Sequence, residues 1–264
     1  MLLPFKSHII TLMKNADWSR EELIVAFNIY CKTPFSKINK NNKAVIELAS
    51  IIGRTPSSVD LKLANFARLD PELKKRHISG MSHGSKAEIA IWNEFFKNGE
   101  ELAYQSELIL AKFKKLSVEK SSNISIEDLP EGKDREAIVK TRVNQSFFRQ
   151  TILASYDNKC CITGISVPDL LVASHIIPWA LDKTNRMNPC NGLCLNALHD
   201  KAFDKGLITI TADYSVKLSP VLQKTQSAIK TFFLPYENMK ITLPQRFLPS
   251  KECIEYHNKH IFIN

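Results

Sequence analysis

No stretch of this 264-residue chain approaches the roughly 18 consecutive apolar residues of a membrane-spanning helix, which excludes such a span within it. It has no internal repeat and no low-complexity tract, so solenoid and fibrous architectures are excluded as well. The opening segment MLLPFKSHIITLMK is mildly apolar, but Pro4, Lys6 and His8 interrupt it and no small-residue cleavage site follows. The expectation is a soluble, cytoplasmic protein. Cysteine is sparse: six residues, at positions 31, 160, 161, 190, 194 and 253, do not make a secreted disulfide framework. Cys160, Cys161, Cys190 and Cys194 together offer four thiols for a structural zinc. However, adjacent cysteines point in different directions on a strand, and neither pair has the two-residue gap of a zinc knuckle. They read instead as buried, inert thiols.

What is present is ordinary globular composition, 44% hydrophobic and 24% charged, with one bias. The formal charge is +9 and the pI about 9.2, which favours a polyanionic partner through counterion release. Residues 1–115 hold 18 Lys and Arg against 12 Asp and Glu, and the remainder 18 against 15. The N-terminal part is thus the more basic and is expected to grip nucleic acid.

The first ~110 residues have helical periodicity. Ser19 and Glu22 form a capping box ahead of Leu23, Ile24, Ala26, Phe27 and Tyr30, and Thr33–Pro34 ends that helix. A second periodic stretch over 44–53 stops at Gly53. Thr55 and Pro56 then suit the N-cap and first position of a third helix. Two short helices joined by Gly-Arg-Thr-Pro fit a helix-turn-helix, whose second helix offers Arg54, Ser57, Ser58, Asp60 and Lys62 to DNA near its N-terminal end. An ordinary helical hairpin has the same pattern. Residues 74–86 read as a basic loop, and 85–115 as one further helix. Residues 117–134 have linker composition, which divides the chain into a helical domain over 1–116 and a second domain over 135–264.

In the second domain, 135–156 read as a basic amphipathic helix carrying Arg142 and Arg149. Residues 170–175 form a short β-rich run that ends in His175. GLCLN is a second strand, ALHDKAFD a helix ended by Gly206, and LITITADYSVKLS a hairpin turning at Ala212–Asp213. Asn191 follows His175 by sixteen residues, and His199 follows Asn191 by eight. Each has an ordinary alternative: a satisfied strand-end histidine, an Asn-Gly turn, a helix cap. His77, His83, His257 and His260 read as solvated residues, although the three-residue spacing of the last two also suits a metal.

The run KCCITG, LLVASHIIPW and NPCNGLCLNALHDKAFDKGLITI resembles the HNH, or ββα-metal, nucleases over about residues 135–212. The Phe203–Asp204 pair late in the helix is similar to the bacterial restriction-type branch. The resemblance implies an α+β fold, a helical DNA-binding-like N-terminal domain followed by a ββα-metal domain. It also implies hydrolysis of a phosphodiester with one divalent metal, Mg2+ or Mn2+, leaving 5′-phosphate and 3′-hydroxyl ends. On it, His175 is the general base and Asn191 orients the base by a side-chain hydrogen bond. His199 is a catalytic metal ligand, with Asp200 or Asp204 as a hard oxygen donor, and Arg142 and Arg149 are phosphate contacts. Ser174 stands where many relatives place an Asp or His ligand. That departure keeps open a non-catalytic DNA-binding protein with a decayed HNH fold, and an unspecific toxin-like nuclease is a third reading. The expected setting is restriction or anti-phage defence, with modified DNA as a candidate substrate, DNA as partner and a homodimer for double-strand cutting. The chain lacks the paired aromatics of an RNA-recognition sheet.

Overall fold

The structure is a computed structural model that describes residues 17–77, 84–125, 132–182, 185–223 and 231–264. The opening segment 1–16 and residues 78–83 of the expected basic loop, His83 among them, lie outside the described residues.

Capping chemistry sets the first elements. Ser19 and Glu22 form the reciprocal box that starts α1 (Arg20–Lys32). Asn42 caps α2 (Lys43–Ile52), which ends at Gly53 with φ 69°, a left-handed conformation open to glycine at little cost. Thr55 caps α3 (Pro56–Ala67), with Pro56 inside its first turn. After α4 (Pro71–Lys75), the single helix expected over 85–115 is two: α5 (Lys86–Phe95) and α6 (Gly99–Lys114). The break has a local cause, because the Asn98 side chain accepts from the Glu101 amide and starts a new helix ahead of Gly99. Phe27, Tyr30, Phe66 and Trp92 build the centre of this helical part, with ring centroids 4.9 Å apart for Phe27–Phe66 and 5.3 Å for Phe27–Trp92.

The expected linker contains a short helix, α7 (Val118–Ser121), and packing continues across it. The long α8 (Lys133–Ser155) lies against α1 and α6 on one side and against β1 (Leu171–His175) and β2 (Gly192–Asn196) on the other. One hydrophobic cluster runs from Leu23 to Ile254. A second tie reaches back from the C-terminal segment. Arg246 is fully buried, donates to the Tyr30 carbonyl at 2.8 Å and the Thr33 carbonyl at 2.7 Å, and lies 4.4 Å over the Tyr30 ring. These carbonyls belong to the last turn of α1, which has no intrahelical partners for them and carries the negative end of the helix dipole. Buried Asp70, which accepts from the Tyr30 hydroxyl at 2.9 Å, gives the cation its counter-charge.

β1 and β2 pair antiparallel, with His175 opposite Gly192 and Leu171 opposite Asn196, and α9 (Ala197–Asp204) packs on both. This is the ββα arrangement. The fold class is α+β. β3 (Ile208–Ile210) and β4 (Val216–Leu218) form the expected hairpin; α10 (Pro220–Gln223) follows, and α11 (Lys251–His260) covers β3. Gly206, at φ 66°, ends α9 where a Cβ would come within 2.0 Å of the Ile261 carbonyl oxygen, so the turn and the close approach of α11's exit both require glycine.

Candidate active site

His175 ends β1 half-buried, its ring stacked on Phe148 of α8 at a centroid distance of 3.9 Å and met edge-on by Trp179 at 5.5 Å. Its Nε2 donates to the Arg186 carbonyl at 3.0 Å. A carbonyl can only accept, so the proton of the neutral ring sits on Nε2 and Nδ1 keeps its lone pair. Burial lowers the His175 pKa, with the Arg186 carbonyl and the nearby Asp200 carboxylate acting against it.

Asn191 is fully buried, and its role differs from the expected one. Its Oδ1 accepts from the Ile177 amide at 2.8 Å and its Nδ2 donates to the Ile177 carbonyl at 3.1 Å, so it fixes the chain two residues beyond His175 rather than the ring itself. The ring is oriented by Phe148 and the Arg186 carbonyl, contacts that the sequence did not reveal.

The larger correction concerns His199. It points into the protein at 3% exposure, with Nδ1 donating to Asn196 Oδ1 at 3.1 Å and the ring between Phe233 at 5.0 Å and Tyr236 at 5.5 Å. Its Nε2 is buried on the Phe232 side without a hydrogen-bond partner, and burial lowers its pKa. The next residue, Asp200, turns the other way. Its carboxyl lies beside Ser174, Asp204 and His175; burial raises its pKa, the Ser174 hydroxyl, Lys201 and His175 lower it, and Asp204 raises it. Helical geometry explains the division. Asp200 and Asp204, four apart, share a face that is not buried, whereas His199 and Phe203, also four apart, share the buried face. That periodicity was readable in ALHDKAFD, and the expectation followed the residue type instead.

Ser174 is 2% exposed, and its hydroxyl, directed at the Asp200 carboxyl, has no partner in hydrogen-bond geometry. Ser174 and His175 therefore lie near Asp200 at one end of the ββα unit, with the exposed Asp204 one turn further along α9. Residues 160–211 match the family described as HNH endonuclease. The C-terminal part contains an HNH domain. No curated protein matches the chain.

Among the described residues no three His, Cys, Asp or Glu side chains form a metal cage within or outside the HNH domain. The donors at this end are two carboxylates and the orphaned Ser174 hydroxyl. This all-oxygen, part-open set fits a hard divalent cation that keeps water and substrate oxygens as its other ligands. The cysteines offer no alternative. Among the described residues they form no metal-binding group, and burial raises the pKa of Cys161, Cys190 and Cys194.

The expected DNA contacts divide in two. Arg54 Nε donates to Glu22 Oε1 at 2.6 Å and its guanidinium lies 4.5 Å over the Trp18 ring, while Lys62 pairs with the buried Glu88 and lies 5.1 Å over the same ring. Both cations are engaged inside the helical part, which corrects their assignment as DNA contacts. Ser57 is exposed, and Ser58 is half-buried, its amide donating to Thr55 Oγ1 at 3.2 Å. On α8, by contrast, Arg142, Gln145 and Arg149 share one exposed face. Arg149, held by the Leu171 carbonyl at 2.7 Å and the Pro168 carbonyl at 3.2 Å, borders the same cavity as His175. His77 and His260 are exposed, but His257 is not solvated as expected. It is 1% exposed, stacked on Phe203 at 3.8 Å, with Nε2 donating to the Phe203 carbonyl at 3.1 Å.

Proposed function

We propose that the protein is a divalent-metal-dependent DNA endonuclease whose working groups are His175, Asp200, Asp204 and Ser174. The observation that carries the reading is Asp200 beside Ser174 and His175, with Asp204 one turn along the helix and the His175 lone pair at Nδ1 left free. In this reading Asp200 and Asp204 hold Mg2+ or Mn2+, with the Ser174 hydroxyl completing the protein's donors. Bound there, the ion neutralises charge that develops on the phosphate and the leaving oxygen. His175 takes a proton from the attacking water at Nδ1 as the new P–O bond forms and the bond to the 3′-oxygen breaks. Solvent returns a proton to that oxygen. A lowered pKa keeps the ring neutral, and so competent as a base, at neutral pH. The Arg186 carbonyl holds Nε2–H and stabilises the imidazolium that results. Arg142 and Arg149 hold the DNA backbone along α8, in place of Arg54 and Lys62. Restriction or anti-phage defence is the setting that the helical part followed by an HNH domain suggests.

Cleavage of plasmid and phage DNA by wild type, His175→Ala and Asp200→Asn, in Mg2+, Mn2+ or chelator, tests the reading. Metal-dependent cutting lost in both variants is the expected result. If wild type binds DNA without cutting it under any condition, the protein is a non-catalytic binder whose Ser174 marks a decayed centre.

A further inference from the structure

A cavity of about 310 Å3 opens beside His175, at the lower end of the roughly 300–1,000 Å3 of small-molecule sites. Val172 and Ala173 of β1 and the half-buried Trp179 line it, while Phe148, 2% exposed and stacked on His175, lies behind. Gln145 and Arg149, both exposed on α8, stand at its mouth. Trp179 is itself braced. Arg186 donates from Nε to the Trp179 carbonyl at 2.7 Å and lies 5.1 Å over the indole, and the same residue's carbonyl holds His175. The indole, half-buried and pinned by the cation, is a rigid wall rather than a loose surface residue.

We propose that this cavity receives an unstacked nucleobase of the strand being cut, so that the substrate is DNA with a single-stranded or extrahelical nucleotide next to the scissile phosphate. The inference rests on the nuclease reading of His175 and extends it to the kind of DNA taken. A phosphate at His175 brings an attached nucleotide to the mouth of the cavity. Aromatic and apolar walls match a base's faces, the Gln145 amide offers one donor and one acceptor group to its edge, and Arg149 keeps N–H groups for the neighbouring phosphate. A base inside a duplex has both faces covered by its neighbours and cannot use these walls. One that has left the stack can, and a base already unpaired pays least to enter.

The test is a binding measurement in chelator, where nothing is cut. Fluorescence anisotropy compares one labelled oligonucleotide as a single strand, as a matched duplex, and as a duplex with one unpaired base. The unpaired-base duplex should bind wild type about tenfold more tightly than the matched one, the size of effect that one stacked base supplies. Trp179→Ala should lose that preference and Trp179→Phe keep it. Ala173→Leu, which fills the cavity without removing the wall, should lose it too and covers the case in which Trp179→Ala fails to fold. Equal affinity of wild type for both duplexes, or a preference that survives in Ala173→Leu, overturns the inference. Because no cleavage is read, the outcomes separate. Equal binding to both duplexes with Mg2+-dependent cutting of both defeats this inference alone, whereas the preference without cutting in any metal defeats the nuclease reading and leaves the base site standing.

Discussion

The helical part and the HNH domain treat their polar groups in opposite ways. In the helical part several cations are matched inwardly, although Arg68 leaves Nε and Nη2 without hydrogen bonds. Arg54 pairs with Glu22, Lys62 with Glu88, and Lys32 with Glu107 at 3.3 Å, and Trp18 lies under two of these cations. In the HNH domain the Ser174 hydroxyl has no partner in hydrogen-bond geometry, Asp200 lies near Asp204, and Arg149, held by two carbonyls, is exposed at a cavity mouth. Pairing of buried charge contributes to stability, whereas unmatched buried polar groups are costly unless something binds there. The more basic half by sequence is thus not automatically the half that meets DNA, because charge counted along the chain does not say which cations are already occupied.

The sharpest way to break this contrast is at the unmatched groups. His175→Ala should lower the rate of DNA cleavage by about 100- to 10,000-fold, the range for losing a positioned general base, while thermal unfolding changes little. A folded variant with full activity would remove the HNH domain's half of the comparison. Next in size is the tie between the halves. Arg246→Met should cost about 3–5 kcal/mol in denaturant unfolding, because it strands two helix-end carbonyls and the buried Asp70. A loss below 1 kcal/mol would mean that the two parts are held by apolar packing alone.

A pH effect follows from His257, whose pKa burial lowers to about 4 from 6.5, against the Phe203 carbonyl. The folded ring is neutral and the unfolded ring gains its proton first. The contribution is therefore complete above pH 6.5 and is lost as pH falls towards about 4. The loss amounts to roughly 3 kcal/mol at most. Urea midpoints measured between neutral and mildly acidic pH should fall less steeply in His257→Gln than in wild type. Equal slopes would show that this histidine is not the titrating group. The smallest effect separates the two sets of arginines. Arg54→Ala should cost about 1 kcal/mol of stability and leave DNA affinity unchanged. Arg149→Ala should leave stability unchanged and reduce the salt dependence of DNA binding by about one phosphate contact. Interchanged results would reverse the comparison.

Local signals in the sequence were sufficient for much of the fold. The Ser19–Glu22 box, Gly53, Thr55–Pro56, GLCLN and ALHDKAFD all mark elements that form with nearly the expected bounds, because caps and hydrophobic periods act over a few residues. The Asn98 break was also local, and the periodicity on either side masked it. What could not be read were partners distant in sequence: Arg246 at the end of α1, Phe148 under His175, and His257 against Phe203. In the candidate site, residue type alone did not separate the core residue from the less buried ones. The short run around His199 holds both a histidine and two aspartates, and only the helix face on which each falls distinguishes the core residue from the candidate ligands.

The most direct test of that distinction is Mn2+ binding by the full chain, followed by electron paramagnetic resonance, for wild type, Asp200→Asn and His199→Gln. Binding lost in Asp200→Asn and kept in a folded His199→Gln is the predicted result. Binding kept in Asp200→Asn but lost in a folded His199→Gln would return the metal to the histidine and contradict the site described above.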